Sequence, residues 1–465
     1  MNLNNLRISF GLRYIKVTTL GVLFWWLSFG LVSIFALYAH LPSIILSFLI
    51  FGILGFLLTS FIEPEANALY LLLYFISTII SLLLYYNFSE IYGSPYWGGG
   101  SDELMYEDVG MDFALNYGFF DYSSIRGELV VPWHNSIGYI YLIGILTKMS
   151  IFLGGAHTMI FRIFNSACLG ILCVFVYSIS KKVLLNRNTV VWTAIIVGIM
   201  PIMLWVTGQT LRDVIASLFL VIGTQVWVCS SFGKHSISTI TKIIVTVMLF
   251  ILLFEMRKGQ AFILLLTAIA GLMVTTRYNN VVFKFLLSGV ILGGTLFFYF
   301  YFDGANEILA FSLQAENYSE YRIEDTGGGL SSVVFSSPPP FSYFLRTLYA
   351  LISPIPEINF KAYKSLLSLG TVFQFFFIPF LFFGIRKSFE SRYSQVLFLS
   401  FLLPFIGMSM FTFTIRHIVQ YLPFGIILTS LGYEHYQGNR KLVFYAMGGL
   451  IGLLLLIYLF LKVLV

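Results

Sequence analysis

Three uncharged apolar runs, residues 17–39, 43–62 and 68–87, fill most of the first ninety positions, parted only by His40–Pro42 and Glu63–Asn67. Each is about the 20 residues that an α-helix needs to cross a hydrocarbon core. A soluble domain cannot hide three such runs side by side, whereas a bilayer accepts them because a helix satisfies its own backbone hydrogen bonds. The pattern continues: apolar spans fall at 157–180, 189–207, 211–229, 240–256, 259–276, 284–302, 366–385, 394–412, 418–433 and 442–463. The expectation is an all-α, polytopic transmembrane bundle of about thirteen spans (11–14), with a short helical external loop. Residues 136–153 and 341–356 are apolar but interrupted by Lys148, or by Arg346, Pro354 and Pro356, and read as interfacial or re-entrant. The first span is too long for a cleavable signal peptide, and no small-residue cleavage site follows it.

Composition agrees. Hydrophobic residues make up 58% of the chain and charged residues 10%, too little polar surface to cover a soluble core of this size. The 49 Phe and 28 Tyr suit lipid-facing and interfacial helices. Cys168, Cys173 and Cys229 lie in or at the ends of apolar runs and imply neither a disulfide framework nor a zinc site. The net charge of +6 sets orientation rather than nucleic-acid affinity. With Arg7, Arg13 and Lys16 in the cytoplasm, the loops holding Lys181, Lys182 and Arg187, then Lys234 and Lys242, Arg277 and Lys284, Arg386, Lys387 and Arg392, and Arg440 and Lys441 also fall inside. Of the 21 acidic residues, all but Glu63, Glu65, Glu390 and Glu434 fall on the other side. The chain divides into N-terminal spans (1–87), an external acidic loop with interfacial helices (88–156), central spans (157–302), a second external segment (303–365) and C-terminal spans (366–465).

The polar residues concentrate at about 88–135 and 303–340. In the first, Gly98–Gly100 loosens the backbone and Ser101 reads as the N-cap of a short helix from Asp102. Glu103 and Glu107 then share one face, and Asp108 and Asp112 another. Five carboxylates in eleven residues either solvate a loop and complement a helix dipole, or sit at a membrane boundary where their basicity is tunable. On the same side, Arg212 and Asp213 follow the Thr207–Gln209 turn. Glu255, Arg257 and Lys258 separate two spans, and Arg416 and His417 another two. Charges at that depth are expensive and serve function, pair with one another or snorkel. An acidic loop facing several cations is what an anionic phosphate ligand beside a general base requires.

These residues carry a resemblance. Ser101-Asp102-Glu103-Leu104-Met105-Tyr106 is similar to the Asp-Glu pair, followed by Tyr, in the first external loop of the GT-C glycosyltransferases, which use polyprenyl-phosphate-linked sugars. Tyr139–Tyr141, Gly154-Gly155, Arg162 with Asn165, Lys181-Lys182, Pro201 and Arg416 through Leu422-Pro423 follow in a family-like order. The likeness covers about 88–277 and, more weakly, 394–433. The chain has only Pro132 before Trp133-His134 where the family often has a doubled proline. It also places two additional spans before the loop, where the family usually has one. The resemblance implies Asp102 as general base, with Glu103 orienting the acceptor or serving as base instead. Asp102 and Glu103 would also hold a divalent metal, if one is used. Arg212, Arg257, Lys258, Arg416 and His417 would bind the donor phosphate, and Tyr106, Glu107, His134, Tyr321 and Arg322 the acceptor. The implied partners are a polyprenyl-phosphate-linked sugar or oligosaccharide and membrane lipid, with no nucleic acid, at the bacterial inner membrane in O-antigen or other surface-polysaccharide synthesis. Two alternatives stay open: a polymerase of lipid-linked repeat units, resting more on the second external segment, and a lipid-linked glycan flippase. No convincing internal repeat favours the flippase, and the charges lie at helix ends rather than mid-span.

Overall fold

The computed structural model describes residues 7–10, 13–130, 136–229, 231–232, 235–236, 238–275, 341–352, 362–409 and 415–464, with a few further positions between 289 and 338. Its helices are α1 (Val17–Ala39), α2 (Pro42–Ile62), α3 (Asn67–Tyr92), α4 (Ser101–Asn116), α5 (Tyr122–Ile125), α6 (Ile137–Phe152), α7 (Thr158–Val183), α8 (Arg187–Ile199), α9 (Pro201–Thr207), α10 (Asp213–Val228), α11 (Thr239–Met256) and α12 (Lys258–Thr275), followed by α13 (Phe341–Ile352), α14 (Ala362–Ser388), α15 (Arg392–Gly407), α16 (Leu422–His435) and α17 (Arg440–Leu464). Among the described residues, β-structure is confined to two short antiparallel hairpins and a single bridge. The chain is an all-α, multi-pass membrane protein.

Six described helices are long and apolar enough to cross a membrane, or seven if α8 and α9 form one broken span. The hydropathy pattern predicts thirteen apolar runs, and those beyond the six differ in length or continuity among the described residues. The run 189–207 bends by 49° between α8 and α9, because Met200 before Pro201 is pushed to an extended ψ of 126° and the proline offers no N–H to continue the ladder. The runs at 211–229, 259–276, 394–412 and 418–433 form α10, α12, α15 and α16, shorter helices of 14 to 18 residues, and the run at 442–463 forms the 25-residue α17. The expected span 284–302 lies outside the described residues.

Helix α7 is the axis: 89% of its most apolar stretch is buried inside the protein, against 28% for α1 and α2, which leave most of their surface to lipid. Without a hydrophobic drive between helices, packing and small residues hold a membrane bundle together. Tyr70 and Tyr74 of α3 donate to the Phe51 and Phe48 carbonyls of α2 at 2.8 and 2.7 Å, and Ser77 bonds Ser166 of α7 at 3.1 Å. In α14 and α16, Gly384 and Gly432 bring two backbones so close that no Cβ fits at either.

The two ends of α7 gather different loops. Its C-terminal end holds Lys181 against Glu63 at 2.9 Å and Arg187 against Glu65 at 3.4 Å, while Glu434 caps the Leu185 and Asn186 N–H groups. Its N-terminal end holds the acidic segment and the 207–213, 255–258 and 415–417 turns. These are the two groups of loops that alternate along the chain.

Candidate functional site

The site starts from a backbone feature. Gly98, Gly99 and Gly100 all have positive φ, 61°, 87° and 91°, a region costly for residues with a Cβ. Gly100 is therefore the N-cap of α4, and Ser101, expected to cap, is already its first helical residue. The entry aims Asp102 and Glu103, one residue and about 100° apart on the helix, into different surroundings.

Glu103 points inward and is 3% exposed. Its carboxylate accepts the Thr210 N–H at 2.8 Å and the Trp97 N–H at 3.3 Å, and Arg162 stands 3.9 Å away. Burial pushes its pKa up to about 7 against the pull of Arg162 and of these donors. One turn on, half-buried Glu107 accepts from the Thr158 and Thr210 hydroxyls at 2.6 Å each and from Tyr96 at 2.8 Å. Its pKa is also raised, by burial first, against the three hydroxyl donors. Thr210 thus clasps both carboxylates, and Asn165 fixes that turn by donating to the Gln209 and Leu211 carbonyls at 2.8 and 3.1 Å. Arg162 is fully buried, lies over the Tyr85 ring at 5.5 Å and donates to the Pro95 carbonyl.

Asp102 points to the rim, where its half-exposed carboxylate pairs with Arg416 at 2.6 Å. Arg257 contacts both Asp213 and His417, and His417 lies 4.0 Å from Asp213. Arg212 and Arg416 also act on Asp213. Among the described residues, Arg257, Arg416 and Arg212 thus gather around Asp102 and Asp213, with Asp102 the most exposed of the group. Ser217 of α10 donates to the Val419 carbonyl at 2.8 Å, holding the 3₁₀ turn Ile415–Gln420 that carries Arg416 and His417 against the start of α10.

The other expected residues lie around this centre or beyond the described residues. Lys258 lies over the Phe254 ring at 5.7 Å, beside a second cluster in which Glu255 pairs with Arg126 at 2.8 Å and accepts from Tyr122. Tyr106 is buried against Tyr139, bonds Ser136 at 3.1 Å and lies close enough to Arg416 to act on its charge. Glu107, likewise expected at the acceptor, has its oxygens taken up by hydroxyls of the protein. His134, Tyr321 and Arg322 lie outside the described residues. Among the described residues no group of three or more metal-ligating side chains gathers, and Asp102 and Glu103 turn to different partners instead of converging on one ion.

The buried clasp is not legible in the sequence. Thr158 and Thr210 carry no signal in an apolar chain, and Asp213 stood out only as a charge beside Arg212. Arg162 was visible only through the family likeness.

No family model matches the chain, and no curated protein matches it significantly. Among solved structures, the chain is similar to the archaeal oligosaccharyltransferase AglB from Archaeoglobus fulgidus in complex with an inhibitory peptide and a dolichol-phosphate. The TM-score is 0.43 and the identity 15%, over 78% of this chain and 50% of that one. The apo form of the Archaeoglobus fulgidus oligosaccharyltransferase gives 0.41 and 16% over the same shares. The chain thus spans half the length of these solved structures.

Proposed function

We propose that this protein is a membrane glycosyltransferase that moves a sugar or oligosaccharide from a polyprenyl-phosphate-linked donor to an acceptor hydroxyl on the external face, in the synthesis of surface polysaccharide or lipopolysaccharide. The observation that carries the reading is the half-exposed Asp102 beside Arg416 at 2.6 Å, backed by Arg257, His417 and Arg212. A base and a cluster of anion-binding groups share one rim at the end of a helical bundle, where a lipid-borne phosphate and a water-borne acceptor can both arrive.

In this reading Asp102 takes the proton of the acceptor hydroxyl as its oxygen attacks the anomeric carbon. The bond from that carbon to the phosphate oxygen breaks, and the lipid phosphate leaves with the electron pair. Arg416 and Arg257 stabilise the charge that grows on it, an effect stronger in the transition state than in the ground state. Glu103 and Glu107 take no proton in this step; they hold α4 so that Asp102 stays at the rim. The cytoplasmic amino terminus expected from the positive-inside bias puts this rim outside.

The test is purified protein in vesicles with a radiolabelled polyprenyl-phosphate sugar or lipid-linked oligosaccharide and a hydroxyl acceptor. Appearance of labelled acceptor with release of lipid phosphate supports the reading. Movement of the intact lipid between leaflets without turnover would replace it with a flippase.

A further inference from the structure

We propose that Glu255 is a positioning residue: with Arg126 it ties the segment after α5 to the turn between α11 and α12, and so sets where Arg257 stands. That Arg257 then meets a lipid phosphate rests on the proposed function, and the experiment below separates the two claims.

The turn between α11 and α12 has no slack. Met256 ends one helix and Lys258 begins the next, so Arg257 alone makes the junction, in an extended conformation with φ −165° and ψ 91°. Its N–H bonds the Leu253 carbonyl behind it, and its own carbonyl accepts from the Gln260 and Ala261 N–H groups ahead at 3.0 and 3.3 Å. A backbone tied on both sides absorbs little displacement, and two residues of chain span at most about 7 Å. Whatever moves Glu255 therefore moves Arg257.

The side chains of this turn part in two directions. Arg257 reaches Asp213 at the start of α10 and His417 in the 415–420 turn. Glu255 reaches the other way. Both of its oxygens lie within 2.9 Å of a single nitrogen, Nη2 of Arg126, and Tyr122 of α5 donates a further hydrogen bond to it. Gly138 of α6 packs so closely that a Cβ there would stand 2.8 Å from the Glu255 Cβ. Lys258 lies near enough to feel the charges of both Glu255 and Arg126, and so sides with this group.

The other end of the tie is firmly seated. Residues 124–130 close on themselves, with the Gly127 N–H on the Val130 carbonyl at 2.9 Å and the Val130 N–H on the Ile125 carbonyl at 3.0 Å, and Ile125 is fully buried. The Tyr122 ring meets Tyr141 of α6 edge-on at 5.1 Å, and Tyr141 donates to the Phe119 carbonyl at 2.6 Å. Helix α6 in turn packs on α4, which carries Asp102, through Tyr139 against Tyr106. A part-exposed ion pair adds little to stability; what this one supplies is register, referring Arg257 and Asp102 to the same docked segment.

The experiment uses the full-length protein in detergent micelles, with a short polyprenyl phosphate as the probe. It compares Arg126→Ala, Arg126→Lys, Glu255→Gln, Arg257→Ala and the Glu255→Gln, Arg257→Ala double variant. Hydrogen exchange at the Arg257, Gln260 and Ala261 amides reads the turn, and titration calorimetry reads phosphate binding. Arg126→Ala and Glu255→Gln should raise exchange at those amides several-fold and weaken binding by roughly three- to tenfold. Arg126→Lys should restore most of both, because one nitrogen makes this contact. The double variant should bind no worse than Arg257→Ala alone, the mark of a residue that acts only through another. Unchanged exchange in Arg126→Ala and Glu255→Gln overturns the proposal. So do losses of binding that add in the double variant, which would give Glu255 a role of its own. Normal binding by Arg257→Ala together with raised exchange would uphold the tie and remove the phosphate reading instead.

Discussion

Asp102 and Glu103 are chemically similar neighbours whose surroundings divide them. The first lies half-exposed against a guanidinium; the second is 3% exposed and held by two backbone N–H groups. A carboxylate in the first setting can receive a substrate proton and return it to water. In the second it is committed to structure, because every donor it has would have to be given up before it met a substrate. In the proposed reading the rim and the buried clasp split two tasks, chemistry and placement, that one acidic motif could be read as combining.

The largest expected effect tests that split directly. Asp102→Asn keeps size and most hydrogen bonding but cannot take the acceptor's proton, so turnover should fall by roughly 10²–10⁴-fold while donor binding survives. Lipid-phosphate release and a separate donor-binding assay read the two. An active Asp102→Asn protein beside a dead but folded Glu103→Gln protein would move the chemistry one residue along and reverse the comparison.

Next come the cations. Arg416→Ala or Arg257→Ala removes a charge-assisted contact of about 1.5–3 kcal/mol, so turnover should drop by roughly tenfold to a hundredfold. Arg416→Lys should recover only part of it if the phosphate is gripped by two nitrogens. Alanine variants at both positions with near-normal turnover would assign these arginines to ion pairing alone.

The clasp should respond in stability before activity. Glu103→Gln sets an amide N–H₂ among the donors at Thr210 and Trp97 and removes the carboxylate that faces buried Arg162, and should loosen α4 by about 1–3 kcal/mol. Hydrogen exchange of the 101–116 amides measures it. The same probe carries a pH signature. Because the Glu103 pKa is raised from its ordinary 4.5 to about 7, the docked helix holds that proton more tightly than the released one. Its contribution is fully present below about 4.5 and is lost as pH rises through about 7. Protection factors in α4, corrected for intrinsic exchange, should fall across that window, and Glu103→Gln should flatten the trend. A trend that survives in Glu103→Gln would place the titrating group elsewhere.

The smallest effect is the control. Asp108 sits on the exposed face of α4, and Asp108→Asn should change stability by less than about 0.5 kcal/mol and leave turnover unchanged. A large loss there would mean that the acidic segment works by its total charge rather than by the division between rim and clasp.

Much of this protein was determined by sequence alone. Hydropathy is a local property, summed over about 20 neighbours, so the apolar runs declare a membrane bundle without any knowledge of their partners. The density of carboxylates after Gly98–Gly100 and the charges at 212–213, 255–258 and 416–417 are likewise visible one window at a time. The tertiary structure alone decided what each charge faces. Arg416 meets Asp102, Glu255 meets Arg126, and Thr210 meets Glu103 across separations of more than a hundred residues, and no local pattern encodes such a meeting. Desolvation, finally, belongs to the folded environment rather than to the residue, which is why neighbouring carboxylates on one helix end in different surroundings.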